Sequence, residues 1–321
     1  MEISGEGLDE VLIELYEKLL ESGDTNVGSR GSTVEMLGVS VRVAKPRARL
    51  SRSESRGKPF SALGELLWYL SGSDKLDFIR PYVPEYVKDA TDGVIHGAYG
   101  PRLYAMRGIN QVANVCALLT ERPSSRRAVI QLYDAEDIAE HHKEIPCTTT
   151  IQLHIRGGRL HVSVTMRSND AYWGLPHDVF CFTMLQEMLA RRLAVEVGEY
   201  YHYAGSMHIY EDYIDGARAY VGEGHQKTIE MPPMPDGDPF ALIDTLLRAE
   251  EHVRAGKTVA AAELFADPYW ADIVRMIQVF WARGRDDELA ALKAELAHPI
   301  YGAFLQGRIG MKPRQLRPPT S

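Results

Sequence analysis

The chain has 321 residues, 45% of them hydrophobic and 25% charged, which suits one large globular domain or a domain with an appendage. Its formal net charge of −8 argues against a general polyanion binder, although a local basic pocket can still hold one phosphate. No apolar run reaches the length of a membrane span, so neither a nucleic-acid nor a membrane partner is expected.

Three cysteines, Cys116, Cys147 and Cys181, show no CxxC spacing and cannot all pair with one another. Met1 leads into Glu2 and Glu6 with no basic or apolar leader pattern. A reduced, cytoplasmic protein is the expectation.

From the N-terminus, apolar residues at Leu8, Val11, Leu12, Leu15 and Leu19 predict an amphipathic helix stopped by Gly23. Asn26 to Thr33 reads as a glycine- and serine-rich loop holding Arg30. Alternation from Val34 to Val43 predicts a strand. Ser51 to Lys58 is polar and basic, expected at the surface. Ser61 to Leu70 predicts an apolar helix with one acid inside it, Glu65. Asp92 to Tyr104 reads as loop and Ile109 to Glu121 as helix. Strands are expected at Ala128 to Tyr133 and from Thr149 to Met166, the latter a hairpin about Gly157-Gly158. A long apolar helix follows at Asp178 to Ala194, then an aromatic strand at Glu199 to Ile209. Pro232 to Gly237 reads as a linker. Beyond it, Pro239 to Arg283 and Asp286 to Ala297 predict amphipathic helices. The expected division is a catalytic domain at 1–237 and a helical extension at 238–321.

Certain residue types carry chemistry. Cys147 follows Pro146, and Arg167-Ser168-Asn169-Asp170 comes twenty residues later. A cation beside a thiol favours the thiolate, the form that acts as nucleophile. By itself Cys147 reads first as a small buried hydrophobe, and the segments around it reverse that reading. A carboxylate such as Glu65 within an apolar helix is costly unless paired or functional. Tyr99 offers a hydroxyl for proton transfer, though a lone tyrosine is more often packing. Adjacent Arg126 and Arg127 at a strand start suit phosphate binding, or form an ordinary surface pair. His208 and Tyr210 share one strand face. The histidines lack metal-ligand spacing, and no metal is expected. Cys116, Cys181, Trp173, Phe180, Met184 and Met188 read as packing.

Taken together, Glu65-Leu66-Leu67-Trp68, Tyr99-Gly100, Ser125-Arg126-Arg127, Pro146-Cys147, Arg167-Ser168 with Asp170, Gly174-Leu175-Pro176 and His208-Ile209-Tyr210 resemble the thymidylate synthase family over residues 8–225. The resemblance implies an α+β class and the thymidylate synthase fold, a mixed β-sheet flanked by helices, in a homodimer whose sheets pack together. It also implies a pyrimidine nucleotide monophosphate as substrate and 5,10-methylenetetrahydrofolate as cofactor. Cys147 would attack pyrimidine carbon 6. Arg167 and Ser168 would bind phosphate, and Asn169 belongs to the same substrate-binding block. Arg126 and Arg127 would reach phosphate in the partner's site, and Arg30 matches a phosphate loop loosely. His208 and Tyr210 would hold the ribose 3′-hydroxyl. Glu65 and Tyr99 would manage protons at carbon 5, while Asp170 and Gly174 would face the folate.

Departures from the family pattern narrow the expectation. An aromatic residue and asparagine usually follow Gly174-Leu175-Pro176, where this chain has His177-Asp178. A carboxyl at 178 accepts from a cytosine amino group and, when protonated, donates to the ring nitrogen. Cys147-Thr148, Met166 to Asp170 and Ser206 are similar to the deoxycytidylate hydroxymethylases, and the short apolar C-terminal tail that closes a synthase active site is lacking. A hydroxymethylase must admit one water where a synthase excludes it. The sequence therefore predicts 5-hydroxymethylation of a cytosine nucleotide, dCMP over CMP. The alternatives are CMP hydroxymethylation, a dCMP or dUMP methyltransferase, and a non-catalytic nucleotide- or RNA-binding relative.

Overall fold

The computed structural model describes residues 1–28, 31–51 and 59–314. Its strands are β1 (Glu2–Gly5), β2 (Asp24–Gly28), β3 (Gly31–Val43), β4 (Val129–Gln131), β5 (Thr148–Arg156), β6 (Arg159–Asp170) and β7 (Glu196–Tyr210). Among the described residues these form one sheet in the order β1-β3-β7-β6-β5-β4, with β2 paired to β3. The sheet is mixed: β1 runs parallel to β3 and β6 parallel to β7, and the other pairs are antiparallel.

The helices are α1 (Leu8–Ser22), α2 (Phe60–Ser71), α3 (Leu76–Ile79), α4 (Tyr99–Tyr104), α5 (Gln111–Glu121), α6 (Gly174–Arg192) and α7 (Ile214–Gly222). Beyond them come α8 (Ile243–Arg254), α9 (Ala261–Leu264), α10 (Pro268–Trp281), α11 (Asp286–Glu295) and α12 (Gly302–Gln306). None of them is long and apolar enough to cross a membrane among the described residues.

Helix α6 is the crossover that parallel pairing of β6 and β7 requires. Its buried run from Asp178 to Ala190 lies against the sheet and α2. Alternation along β7 sends Tyr200, His202 and Ala204 inward. Tyr201 and Tyr203 face outward at 37% and 43% exposure, and Leu37 of β3 stands 73% exposed. The turn between β5 and β6 uses Gly157 (φ 54°) and Gly158 (φ 73°), the left-handed pair that a two-residue hairpin wants.

One row falls out of the ladder on three strands. Gly38, Gly205 and Arg167 have no register partners, although their neighbours on both sides do. Gly38 has φ 65°, and a Cβ on Gly205 would stand 2.9 Å from the Arg167 carbonyl oxygen. The kink needs the missing side chain.

Several expected boundaries move. Asn26 to Thr33 lies mostly in the β2–β3 hairpin, because backbone pairing overrides its loop-like composition. Arg30 lies outside the described residues, as does the basic stretch 52–58. The expected loop at Asp92 to Tyr104 contains α4. Helix α6 starts four residues early, since Pro176 is tolerated in a first turn. The long run expected from Pro239 breaks at Gly256 (φ 76°). Pro232 to Gly237 is tied to the body: Met231 and Met234 are buried, Met231 N donates to the Arg47 oxygen at 2.8 Å and Met234 N to Glu187 at 2.8 Å. Helices α8 and α10 pack on α2, where the Tyr82 ring stacks on Phe280 with centroids 4.5 Å apart.

Candidate active site

Cys147 ends the loop before β5, and Arg167 stands on the neighbouring strand β6. Arg167 Nη2 donates to Cys147 Sγ at 3.6 Å. The guanidinium is anchored beside the thiol, with Nε donating to the Pro146 oxygen at 2.9 Å and Nη2 to the Ile145 oxygen at 3.0 Å. Its backbone N–H also donates to the Cys147 oxygen at 2.8 Å. The sequence pairing of thiol and arginine is thus a contact.

Tyr99, at the start of α4, accepts hydrogen bonds on its hydroxyl from Thr148 N (3.0 Å) and Thr148 Oγ1 (2.9 Å). Burial, then the neighbouring Cys147 and Asp178, push that hydroxyl well above its ordinary range. Tyr99 therefore keeps its proton at neutral pH and can donate it onward.

Asp178 is buried in the first turns of α6. Burial, followed by the charge of Glu65, raises its carboxyl well above the usual value of 3.8. Asn169 Nδ2 donates to its Oδ2 at 2.8 Å. Behind Asn169 the chain continues: its Oδ1 meets His202 Nε2 at 2.9 Å, and His202 Nδ1 meets the Tyr200 hydroxyl at 2.9 Å. Burial holds His202 down to about 3, so its ring is neutral. A proton on Nε2 with Nδ1 accepting from Tyr200 satisfies every member. That tautomer fixes which end of Asn169 faces Asp178. Gly174 leaves the room, since a Cβ there would lie 3.0 Å from Asn169 Nδ2.

Glu65 of α2 is 5% exposed. Its Oε2 meets His177 Nδ1 at 2.7 Å, and its Oε1 accepts from the Tyr86 hydroxyl at 2.5 Å. Burial alone would raise this carboxyl, but the hydrogen bonds of His177 and Tyr86 outweigh it and hold Glu65 below its ordinary 4.5. Ser61 Oγ meets His177 Nε2 at 2.9 Å. Sequence reasoning noted His177 only as a departure and gave it no role. The signal was present in an unpaired acid on α2 and a basic ring at the start of α6.

The remaining residues fall in two groups. Asp170 accepts from Tyr172 N (2.9 Å) and Trp173 N (3.2 Å), which caps the approach to α6. His208 pairs in register with both Asp170 and Glu35, and its ring lies edge-on to Tyr210 with centroids 5.1 Å apart. Burial lowers His208, while Asp170 and Glu35 act the other way. Ser168 pairs with Ser206, whose hydroxyl donates to Glu35. Arg126 and Arg127, by contrast, are exposed just before β4 and touch none of these groups among the described residues. Phe180, Met184, Met188, Cys116 and Cys181 are buried as expected, but Trp173 is 49% exposed. It stands at the rim of a cavity beside Pro176 and His177, so it is not core packing.

The thymidylate synthase family profile matches residues 13–235, well over half of the chain. The chain belongs to that family, and its α+β sheet flanked by helices is that family's domain. A deoxyuridylate hydroxymethyltransferase from Bacillus phage SP01 is 29% identical over 225 residues, 65% of this chain and 58% of that protein. A deoxyuridylate hydroxymethyltransferase from Pseudomonas phage M6 is 33% identical over 167 residues, 51% of this chain and 48% of that protein. A thymidylate synthase from Symbiobacterium thermophilum is 31% identical over 191 residues, 54% of this chain and 65% of that protein. The chain thus spans between about half and two thirds of these relatives.

Proposed function

We propose that this protein is a one-carbon transferase that 5-hydroxymethylates a cytosine nucleotide monophosphate, with dCMP preferred over CMP. Family membership and the names of its relatives support one-carbon transfer to a pyrimidine nucleotide. The observation that carries the cytosine reading is the buried Asp178 carboxyl, raised by its burial and held by Asn169, with Tyr99 beside both it and Cys147.

In this reading Cys147 Sγ adds to carbon 6 of the base, and Arg167 supports the thiolate while binding phosphate with Ser168. Addition at carbon 6 makes ring nitrogen 3 more basic, and Asp178 donates its proton there. Carbon 5 then becomes the nucleophile. Methylenetetrahydrofolate would supply the one-carbon unit at the formaldehyde level of oxidation and leave as tetrahydrofolate. Trp173, Pro176 and His177 provide an aromatic and polar wall suited to a fused ring system, next to Asp170 and Gly174. Glu65 and Tyr99 handle the proton at carbon 5 and position the water that captures the exocyclic methylene of the pyrimidine. Elimination of Cys147 frees the product. His208 and Tyr210 hold the sugar.

The exposed tyrosines of β7, with Leu37, support a homodimer packed through this sheet face. Arg126 and Arg127 would then serve the partner's phosphate. Residues 1–237 form the catalytic unit, and 238–321 the extension.

A second reading is a uracil nucleotide. Two relatives are named for deoxyuridylate, and a protonated Asp178 offers one donor and one acceptor, which also complement uracil. Incubation with methylenetetrahydrofolate and, separately, dCMP, CMP or dUMP, read by product mass, decides. A gain of one CH2O unit on dCMP supports the proposal. That gain on dUMP alone selects the second reading, and a gain of CH2 means methylation.

A further inference from the structure

Thr148 enters the site through an irregularity in its strand. Ile151 and Leu153 of β5 are buried, so strict alternation would turn Thr149 inward and Thr148 away. The register instead slips between Thr148, paired with Met166, and Thr150, paired with Thr165. A bulge of this kind re-aims the side chain beside it. Thr148 is 0% exposed as a result, and Thr149 Oγ1 donates to the Thr165 oxygen at 2.9 Å.

The proton count at the Tyr99 hydroxyl then has one solution. Thr148 N can only donate, and it takes one acceptor position of the phenol oxygen at 3.0 Å. Thr148 Oγ1 takes the other at 2.9 Å. Among the described residues that threonine hydroxyl has no other partner. Were Tyr99 to donate to Thr148 Oγ1 instead, the threonine proton would be stranded where no solvent reaches it, which is costly. Tyr99 is therefore saturated as an acceptor, and its own proton is left for a third group. Among the described residues no group takes it.

Packing places the ring itself. Its centroid lies 5.1 Å from that of Tyr69 and 6.1 Å from that of Phe182, the latter ring inclined by only 22°. Contacts of this kind hold an aromatic side chain without help from its hydroxyl. What the Thr148 hydroxyl adds is the direction of one proton.

We propose that Thr148 is a positioning residue: its N–H and its hydroxyl together fill the acceptor positions of Tyr99 and leave the Tyr99 proton for the nucleotide site. This rests on the reading in which Tyr99 serves carbon 5 of the base, and it narrows that role. A saturated Tyr99 cannot take up the proton that leaves carbon 5. It holds a water by donating to it. The proton from carbon 5 passes to that water, while the electron pair of the broken C–H bond stays on carbon 5.

The test compares Thr148→Val, which keeps the shape and loses the hydroxyl, with Thr148→Ser, which keeps the hydroxyl and loses a methyl. Turnover is measured with methylenetetrahydrofolate and dCMP, or whichever nucleotide wild type converts. Thr148→Val should lower kcat about ten- to a hundredfold with KM within about twofold of wild type. Thr148→Ser should keep kcat within about threefold, although the lost methyl lowers its melting temperature. A packing role predicts the reverse order. On a Tyr99→Phe background Thr148→Val should cost nothing further. Full activity in Thr148→Val, or an undiminished loss on the Tyr99→Phe background, would overturn the proposal. If Thr148→Val does not fold, Thr148→Ala loses the same hydroxyl and takes its place. A second readout needs no turnover. In protein labelled with carbon-13 at the tyrosine ζ position, the Tyr99 signal is identified by its loss in Tyr99→Phe. It should move in Thr148→Val and stay in Thr148→Ser, and an unmoved signal in Thr148→Val would also overturn the proposal. If wild type converts no nucleotide, the one-carbon reading falls, and this signal alone decides whether Thr148 saturates Tyr99.

Discussion

His177 Nδ1 and Glu65 Oε2 stand 2.7 Å apart, although 112 positions separate them in sequence. The contact ties α2 to the start of α6 and gives the buried acid a partner. It also explains why Glu65 sits below its ordinary 4.5 despite burial.

A carboxyl lowered in the folded state contributes stability above its unfolded pKa and loses it as pH falls through the folded value. His177→Phe removes the largest of the hydrogen bonds that hold Glu65 down. The variant should therefore be less stable at pH 7 by about 2–4 kcal/mol, and the deficit should shrink as pH falls below 4.5. Its activity should be lost at a higher pH on the acid side than in wild type. Urea unfolding at pH 7 and pH 4 checks the sign. An equal deficit at both would make His177 a packing residue.

Asp178 is raised, so the opposite sign applies: its contribution is present below the unfolded pKa and is lost as pH rises through the folded value. Asp178→Asn keeps the shape without ionisation, so its melting temperature should gain on wild type as pH rises. Under the proposed function it should also move the dCMP to dUMP preference toward dUMP by about tenfold or more, since a bidentate base-edge contact is worth roughly 1–3 kcal/mol of discrimination against the wrong base. Competition assays with both nucleotides measure the ratio. An unchanged ratio would show that another group reads the base.

How much was legible follows from where each signal lives. The Cys147–Arg167 contact was readable because both residues sit in local blocks, and a hairpin joins their strands. Glu65 was visible as an anomaly, an acid in an apolar helix, but its partner lies across the fold. The Tyr200–His202–Asn169–Asp178 chain was not readable, because alternation reveals which strand residues point inward but not which of them meet. Trp173 was taken for core, since an aromatic next to an apolar helix usually is; only the placement of α6 exposes it.

Arg126 and Arg127 touch no site residue of their own chain among the described residues. If a partner's site uses them, neither Arg126→Ala nor Cys147→Ala homodimers should turn over, because each site lacks one component. Mixed after unfolding and refolding together, they should form heterodimers with one intact site. Activity should return toward about a quarter of wild type, half the molecules being heterodimers with one site of two under random assortment. Mixing that restores nothing, in a sample shown to contain heterodimers, would place the arginines outside a shared site.

Gly64 lies against the ring of Tyr82, and a Cβ added there would come within 2.0 Å of it. Tyr82 is the hinge of several contacts: its hydroxyl donates to Glu250 at 2.5 Å and accepts from Trp281 Nε1 at 3.3 Å, while its ring stacks on Phe280. Gly64→Ala must displace that ring, because a helix backbone yields less than a side chain. The gain in helix propensity, about 1 kcal/mol, is smaller than the strain of overpacking, typically 1–3 kcal/mol and more where a ring must leave its site. The variant should therefore be destabilised by about 1–3 kcal/mol. The disturbance should reach α8 and α10, seen as faster amide hydrogen exchange in both. A variant as stable as wild type, with α8 and α10 equally protected, would mean that the C-terminal helices do not depend on Tyr82 for their place beside Glu65.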